Sequence, residues 1–573
     1  MIPQLIDFKR LIFVLNIKKW DLSKILILIL IATVLELLGL SLVIPFVNQT
    51  FDISNQNYFQ FFNFGDLSEK SLLSFLSLFL LLIFFLKTII SIFIKWYIGT
   101  FSAEQYAMLQ KKLISLYQNM NYEDYIFKNS SEYVRNIRDL GSDCLSNLDL
   151  SLKTIAEIII FFFIICFLAL INFKVLLVLS VLFVIILFFY QYFLKPISVK
   201  LGQIRNSSIA SIHRYIDLGI KGMKETKILR KDKFFTQNLF NHANTVTEVQ
   251  KKAILIYDSP RHILEFFFLL IGVFFIYYLS ITNQEIKNYF PVMAVYLLAS
   301  IRLLPSISFI ISSLNRIAGL YNSTNILYDD LKKFSNIKNY EKTNHEKLII
   351  DINSIKMENV NFSYKNSKVK VFEKINFSIE KNECIGIIGE SGSGKTTFVD
   401  ILLGLLQPTG GKIFINNELL SDKSYNLSGN IGYLPQEPLV LEDTIKTNIA
   451  LEQNESKIDN NKIQNSIQKS NLEKVISSLP KGINTLIGAN GIRLSGGQNK
   501  RLALARTFYH GKKFIIMDEA TSSLDINAEN YIAKEIENIK GKVTIIIISH
   551  SKNIMQHCDK IYEVKNKSIF LSK

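Results

Sequence analysis

Six apolar stretches, each about 20 residues long, fill the first 312 residues of this 573-residue chain, at 24–47, 72–95, 153–172, 175–194, 263–281 and 289–312. A helix of about 20 residues covers the ~30 Å hydrocarbon core of a bilayer, and the spanning structures open to a chain there are helices and closed barrels. Stretches of this length predict an α-helical domain of six spans. Hydrophobic residues make up 49% of the chain, yet 20% of residues are charged, so the apolar excess is local and a soluble part follows the spans. The length itself fits roughly two to four domains.

The residues between the spans set the topology. The turn at Asn172–Lys174 is short enough to make a hairpin of the third and fourth spans, whereas 96–152 and 195–262 are long. Thirteen Lys and Arg lie in 195–262, and Lys111, Lys112, Lys128, Arg135 and Arg138 lie in 96–152. The remaining loops carry Lys70, Lys174 and Lys287 alone. By the positive-inside rule the long loops and both termini face the cytoplasm. Their apolar residues recur at three- and four-residue intervals with few Gly or Pro, which predicts helices that continue far beyond the bilayer. The turns at the tips, Asn121–Tyr125 and Gly222–Thr226, are then candidates for touching the soluble part, or ordinary surface turns.

A formal net charge of +16 is compatible with nucleic acid, an anionic membrane surface or an anionic ligand. The basic residues crowd beside apolar stretches and no RNA-binding signature or basic–aromatic stripe is present, so the expected partner is membrane lipid and not nucleic acid. Cys144, Cys166, Cys384 and Cys558 form no C-x-x-C pair and no His cluster accompanies them, which speaks against a disulfide framework or zinc site. The first apolar stretch begins near Lys24, is longer than a signal core and lacks a small-residue cleavage site, so it reads as a retained span. These features divide the chain into a membrane domain at 1–319, a Lys/Asn-rich linker at 320–352 and an α/β domain at 353–573.

The α/β domain carries phosphate chemistry. Residues 389–396 read G-E-S-G-S-G-K-T, after the apolar strand C-I-G-I-I and before an amphipathic helical run. In that setting G-x-x-x-x-G-K-[ST] is a P-loop. Gly389, Glu390, Ser391, Gly392, Ser393, Gly394, Lys395, Thr396 and Thr397 are the candidate nucleotide cradle. Backbone N–H groups and the helix start attract phosphate, Lys395 is placed for the β- and γ-phosphates, and Thr396 for Mg²⁺. Downstream, F-I-I-M-D-E is a buried strand that delivers Asp518 to Mg²⁺ and Glu519 to the attacking water. L-S-G-G-Q at 494–498 opens a helix as a second anion cradle, of use to nucleotide held by a different copy of the chain.

P-loop, L-S-G-G-Q, D-E and a late His in this order resemble the ATP-binding-cassette transporter family, and six spans before one cassette resemble its type IV half-transporter exporters. The resemblance implies a homodimer in which ATP and Mg²⁺ lie between one P-loop and the partner's Ser495, Gly496, Gly497 and Gln498. It implies further that Tyr364 stacks on adenine, that Gln436 contacts Mg²⁺ and the attacking water, that Asp525 positions the partner's P-loop and that His550 contacts the γ-phosphate. Ala489 and Asn490 stand where many such exporters carry an acidic and a basic residue.

Within the spans, Lys87, Arg302 and Arg261 set against Glu36 and Glu265 suggest an anionic cargo group, because intramembrane charge is costly and usually faces a cavity. Equally, Lys87 can snorkel, Arg302 can pair with Glu36, and Arg261 can lie at the interface. The 48–71 segment, with Tyr58, Phe59, Phe61, Phe62 and Phe64, suits the outer headgroup region. The patterns L-E-L-L-G-L-S-L-V-I-P-F, N-Y-E-D-Y, Pro260–Arg261 and R-L-L-P-S resemble bacterial lipid-linked oligosaccharide flippases of the inner membrane. That resemblance implies a polyprenyl-pyrophosphate cargo met by Lys87, Arg261 and Arg302. Export of a drug, another lipid or a peptide by the same engine is the alternative.

Overall fold

The computed structural model describes residues 2–50, 69–171, 188, 190–281, 290–341, 352–365, 367, 369–419, 427, 429–488, 491–519 and 526–572. The chain forms two units. One comprises Met1–Met120 with Lys128–Ile337, the other Asn121–Phe127 with Lys338–Lys573.

The first unit is built of long helices. Lys19–Thr50, Glu69–Gln118, Gly141–Ile171, Lys195–Lys221, Asp232–Ile281 and Phe290–Glu341 are its main members. Among the described residues, four stretches are long and apolar enough to cross a membrane: Lys19–Val47, Leu73–Gln118, Ser130–Leu170 and Ile301–Lys333. They cover the expected first span, 73–95 of the second, 153–170 of the third and 301–312 of the sixth. The fifth, 263–281, ends the helix Asp232–Ile281. The fourth span and the turn at Asn172–Lys174 fall largely outside the described residues, as does most of the aromatic 48–71 segment.

The expected extension of the spans is present. Glu69–Gln118 and Asp232–Ile281 are each 50 residues long. At about 1.5 Å per residue, such a helix is more than twice as long as a bilayer core is thick. The polar extensions are held by buried hydrogen bonds. Asp143 accepts from Arg205 at 2.9 Å and from Ser323 at 2.7 Å, and Asn206 Nδ2 donates to Ser323 at 2.9 Å. Close backbone contact adds to this: a Cβ on Gly202 would lie 2.0 Å from the carbonyl oxygen of Gly319.

The linker boundary needs correction. Residues 320–341 continue the helix Phe290–Glu341. Their Lys/Asn content masked an inward stripe: Ser323, Leu327 and Leu331, four residues apart, are all buried. Leu327 and Leu331 pack in one cluster with Leu11, Val14 and Leu15 of a short helix, Ile2–Leu15, that the apolar-stretch reading did not anticipate.

The second unit has two main sheets. A six-stranded sheet runs in the order Ser568–Leu571, Lys560–Lys565, Cys384–Gly389, Thr544–Ile548, Phe514–Asp518, Ile431–Leu434. Four of its five pairings are parallel, and the terminal hairpin 560–571 is antiparallel. The strands Cys384–Ile387, Phe514–Asp518 and Thr544–Ile548 are buried throughout, which explains their unbroken apolar runs. An antiparallel sheet, containing Ser354–Phe362, Phe372–Glu380 and Gly410–Ile415, shares a core with it through Phe362, Phe372, Phe377 and Phe398. A third cluster joins Ile445–Ala450 and Asn460–Lys469 to the helix Gly496–Tyr509.

The tips expected at Asn121–Tyr125 and Gly222–Thr226 belong to short helices, Tyr122–Ile126 and Met223–Ile228. The first groups with the second unit. There Glu123 accepts from the Lys365 N–H at 2.8 Å and pairs with its ammonium at 3.3 Å, and Tyr122 packs against the sheet core.

Candidate nucleotide-binding and catalytic site

The site lies at the carboxyl ends of the parallel strands, where open α/β sheets place their ligands. Strand Cys384–Gly389 ends in the loop Gly389–Gly394, and helix Lys395–Leu402 follows. Gly394 has φ +103°, and a Cβ there would sit 2.9 Å from Phe372, so this position requires glycine. Lys395 Nζ donates to the carbonyls of Gly389 at 2.9 Å and Glu390 at 2.8 Å and so closes the loop on itself. The buried Ser393 hydroxyl has no hydrogen-bond partner among the described residues. An orphaned hydroxyl in a glycine-rich loop at a helix start fits a loop shaped for phosphate oxygens.

Parallel pairing aligns the next two groups. Ile548 is opposite Asp518, so the ends of strands Phe514–Asp518 and Thr544–Ile548 lie side by side and bring Glu519 near His550. The Glu519 N–H donates to the Ile548 carbonyl at 3.0 Å. Gln436 Nε2 donates to the Glu519 carboxylate at 2.8 Å, and His550 Nε2 stands 3.9 Å from its other oxygen. Glu519 has φ +46°, a left-handed conformation that costs a non-glycine residue roughly 1–3 kcal/mol and that clusters at functional positions. Lys500 Nζ donates to the Glu519 carbonyl at 2.8 Å.

Asp518 is 5% exposed and accepts a long 3.4 Å bond from the Tyr433 hydroxyl. Burial, helped by the Glu519 charge, pushes its carboxyl above the usual range, while Tyr433 and Lys395 pull the other way. Asp400, one turn into the P-loop helix, is pushed up to about 7 by burial and by Asp518. Thr396, Gln436 and Asp518 offer hydroxyl, amide and carboxylate oxygens, the hard donors that Mg²⁺ takes alongside nucleotide phosphates, and a buried, proton-favouring carboxylate is one that a cation would relieve. The residues present fit that ion.

At the signature, Ser495 caps the helix Gly496–Tyr509 in a capping box: its hydroxyl accepts from Gln498 N, and its own N–H donates to Gln498 Oε1 at 2.8 Å. The segment therefore presents an ordered helix start with Gly496 and Gly497 in its first turn. Tyr364 meets Phe362 edge-on, with ring centroids 5.0 Å apart, and also Phe127 at 6.0 Å, and its hydroxyl lies 3.1 Å from Thr397 Oγ1. It is thus packed on aromatic edges beside the cradle. Asp525, Ala489 and Asn490 lie outside the described residues.

The sequence reading missed three contributors. Lys500 looks like a surface lysine of a helix, Tyr433 like a strand aromatic and Asp400 like a helix acid. Their roles depend on distances across the fold, and no spacing signals them.

In the helical unit, the structure has the pairing of Arg302 with Glu36 that the sequence left open beside the cargo reading, and it adds Lys87 and Glu157 to it. Lys87 Nζ lies 2.6 Å from Glu36, Arg302 lies 3.5 Å from Glu36 and 3.1 Å from Glu157, and Ser306 donates to Glu157 at 2.7 Å. The cluster holds two cations and two carboxylates and carries no net charge. An unpaired charge in such a place is costly, so pairing is the expected outcome once Glu157 comes within reach. Arg261 pairs with Glu265 one turn along its own helix, at 2.9 Å, on an exposed face.

A helical unit with apolar spans joined to a P-loop cassette with a signature helix is the architecture of an ABC exporter. Residues 372–522 match the family model described as ABC transporter. The fold is shared with a bacterial Atm1-family ABC exporter solved with ATP bound, at a TM-score of 0.76 and 16% identity over 97% of this chain and 95% of that one. A probable ABC transporter ATP-binding/permease protein of Haemophilus influenzae is 34% identical over 38% of this chain and 39% of its own length. An ATP-dependent lipid A-core flippase of Coxiella burnetii is 35% identical over 36% of this chain and 35% of its own length. The chain thus matches less than two thirds of the length of these relatives.

Proposed function

We propose that this chain is one half of a two-copy membrane transporter that hydrolyses ATP to export or flip an amphipathic cargo. The observation that carries the reading is the Glu519 carboxylate held by Gln436 and close to His550, beside the Lys395 loop. In the mechanism, the P-loop backbone and Lys395 bind the nucleotide phosphates and orient the γ-phosphate. Glu519 takes a proton from the attacking water at its carboxylate, and Gln436 fixes that oxygen. His550 donates to the γ-phosphate oxygens, and the partner's Ser495 and helix start close the site against bulk water. Mg²⁺, held by Thr396, Gln436 and Asp518, would neutralise developing phosphate charge. Asp525 belongs to the loop proposed to meet the partner's P-loop, and Tyr364 to the adenine side. The helices Tyr122–Ile126 and Met223–Ile228 are proposed to carry cassette motion to the spans, with the cassette on the cytoplasmic side of a bacterial inner membrane.

For the cargo, the reading is a polyprenyl-pyrophosphate-linked oligosaccharide. The relative from Coxiella burnetii is named a lipid A-core flippase, which supports a lipid cargo. Arg261, on an exposed face, is the cation best suited to meet a pyrophosphate, and Lys87 and Arg302 would do so by exchanging a carboxylate for it. The neutrality of the Lys87–Glu36–Arg302–Glu157 cluster favours a second reading, export of a less charged drug, lipid or peptide. ATP turnover of the full chain in liposomes decides between them. The first reading expects stimulation by polyprenyl-pyrophosphate glycan and none by hydrophobic cations, and the reverse pattern establishes the second. No stimulation by any amphipathic cargo would remove the transport reading.

A further inference from the structure

Lys500 is 6% exposed although it lies in the second turn of the signature helix. A lysine so buried needs a partner for its ammonium, and this one donates to the main-chain carbonyl of Glu519. The same helix is fixed on its other side by Arg501, bonded to the Asn471 carbonyl at 3.1 Å, and by Arg506, bonded to the carbonyls of Asn448 at 2.9 Å and Leu439 at 3.0 Å. Those bonds anchor the helix within the helical part of the cassette. Lys500 reaches across to the peptide of the proposed general base.

That peptide is in a conformation that depends on what holds it. Glu519 is left-handed, with its N–H bonded to Ile548 and its carbonyl bonded to Lys500. Backbone ties on both sides of the α-carbon fix where the carboxylate can lie, and a carboxylate that must meet an attacking water tolerates little displacement.

We propose that Lys500 is a positioning residue that ties the signature helix to the backbone of Glu519 and so links the two nucleotide sites of the assembly within a single chain. The inference rests on the ATPase reading above. In that arrangement a chain's signature serves the nucleotide on its partner's P-loop, whereas its Glu519 serves the nucleotide on its own. When the signature helix seats on the partner's nucleotide, Lys500 sets the Glu519 peptide at the other site. A nucleotide missing from one site leaves the base at the other less well placed, and hydrolysis becomes cooperative in ATP.

The test uses the purified full chain in lipid with Mg-ATP, as wild type, Lys500→Met, Lys500→Arg and Glu519→Gln. Methionine keeps the aliphatic stem and removes the donor; arginine keeps a donor. Absence of turnover in wild type would defeat the ATPase reading itself, before Lys500 is in question. With wild type active, Lys500→Met is expected to lower kcat about 10- to 100-fold with KM for ATP within about twofold. The Hill coefficient for ATP should fall towards one, and Lys500→Arg should restore a third or more of kcat. Adding Lys500→Met to Glu519→Gln should cause no further loss, because both act through one group. Binding of a fluorescent ATP analogue with unchanged affinity shows that the variants are folded, and Lys500→Gln serves for comparison if the methionine variant is not. The proposal is overturned if Lys500→Met turns over within about twofold of wild type with unchanged cooperativity. It is also overturned if kcat and nucleotide affinity fall together, or if arginine restores nothing.

Discussion

The two units treat buried charge in opposite ways. In the cassette, Lys395, Asp518, Glu519 and His550 converge on one end of a parallel sheet, with a Ser393 hydroxyl that has no partner among the described residues and a histidine 3.9 Å from the Glu519 carboxylate. In the helical unit, Lys87, Arg302, Glu36 and Glu157 satisfy each other to neutrality. The first is an arrangement suited to a ligand, since its lysine is held by the loop's own carbonyls. The second is an arrangement that has answered its own charge. A cation in an apolar span therefore says little about cargo until its neighbours are known.

The largest effect separating the two is expected at Glu519. Glu519→Gln should lower ATP turnover by about 10²–10⁴-fold while nucleotide affinity is retained. Steady hydrolysis by that variant would put the base elsewhere and make the cassette as self-contained as the spans. Next comes the intramembrane cluster. Arg302→Met leaves Glu157 without its cation and should destabilise the helical unit by about 3–5 kcal/mol, whereas removing Lys87 and Glu36 together should cost less than the sum of the single changes. Thermal unfolding in detergent measures both. Unchanged stability with a selective loss of cargo-stimulated turnover would turn Arg302 back into a ligand.

A smaller effect is expected where charge plays no part. Gly202→Ala puts a methyl group 2.0 Å from the Gly319 carbonyl oxygen and should destabilise the helical extensions by about 1–3 kcal/mol. ATP binding by the cassette should remain as in wild type, and a loss of nucleotide affinity would show that the two units do not behave separately. Smallest is Ser495→Ala, which removes the cap of the signature helix at a cost of about 1 kcal/mol. Its stability change should be accompanied by reduced turnover, because the cap is also part of the proposed anion cradle, and reduced stability alone would make the signature a structural cap.

What was legible in the sequence follows from how each feature is encoded. The P-loop, the signature and Asp518–Glu519 are local patterns in which strand, turn and helix are fixed within about ten residues. The long helical extensions beyond the spans were legible because their apolar spacing persists. The pairing of Arg302 with Glu157 was not, since those residues are 145 positions apart and no periodicity relates them. Lys500 was hidden for the same reason: its partner is a backbone carbonyl on another strand end. The linker was misread because its Lys and Asn content outweighed Leu327 and Leu331, whose significance depends on a helix near the other end of the unit. The helix Ile2–Leu15 was overlooked because it is too short to register as a span.

The mass of the species that turns over ATP is the most direct measurement. Full-length chain in detergent with Mg-ATP, sized by light scattering while hydrolysis is followed, should be active as two copies, with the Glu519→Gln chain held as a pair around bound nucleotide. A single chain hydrolysing at the full rate would contradict the shared site.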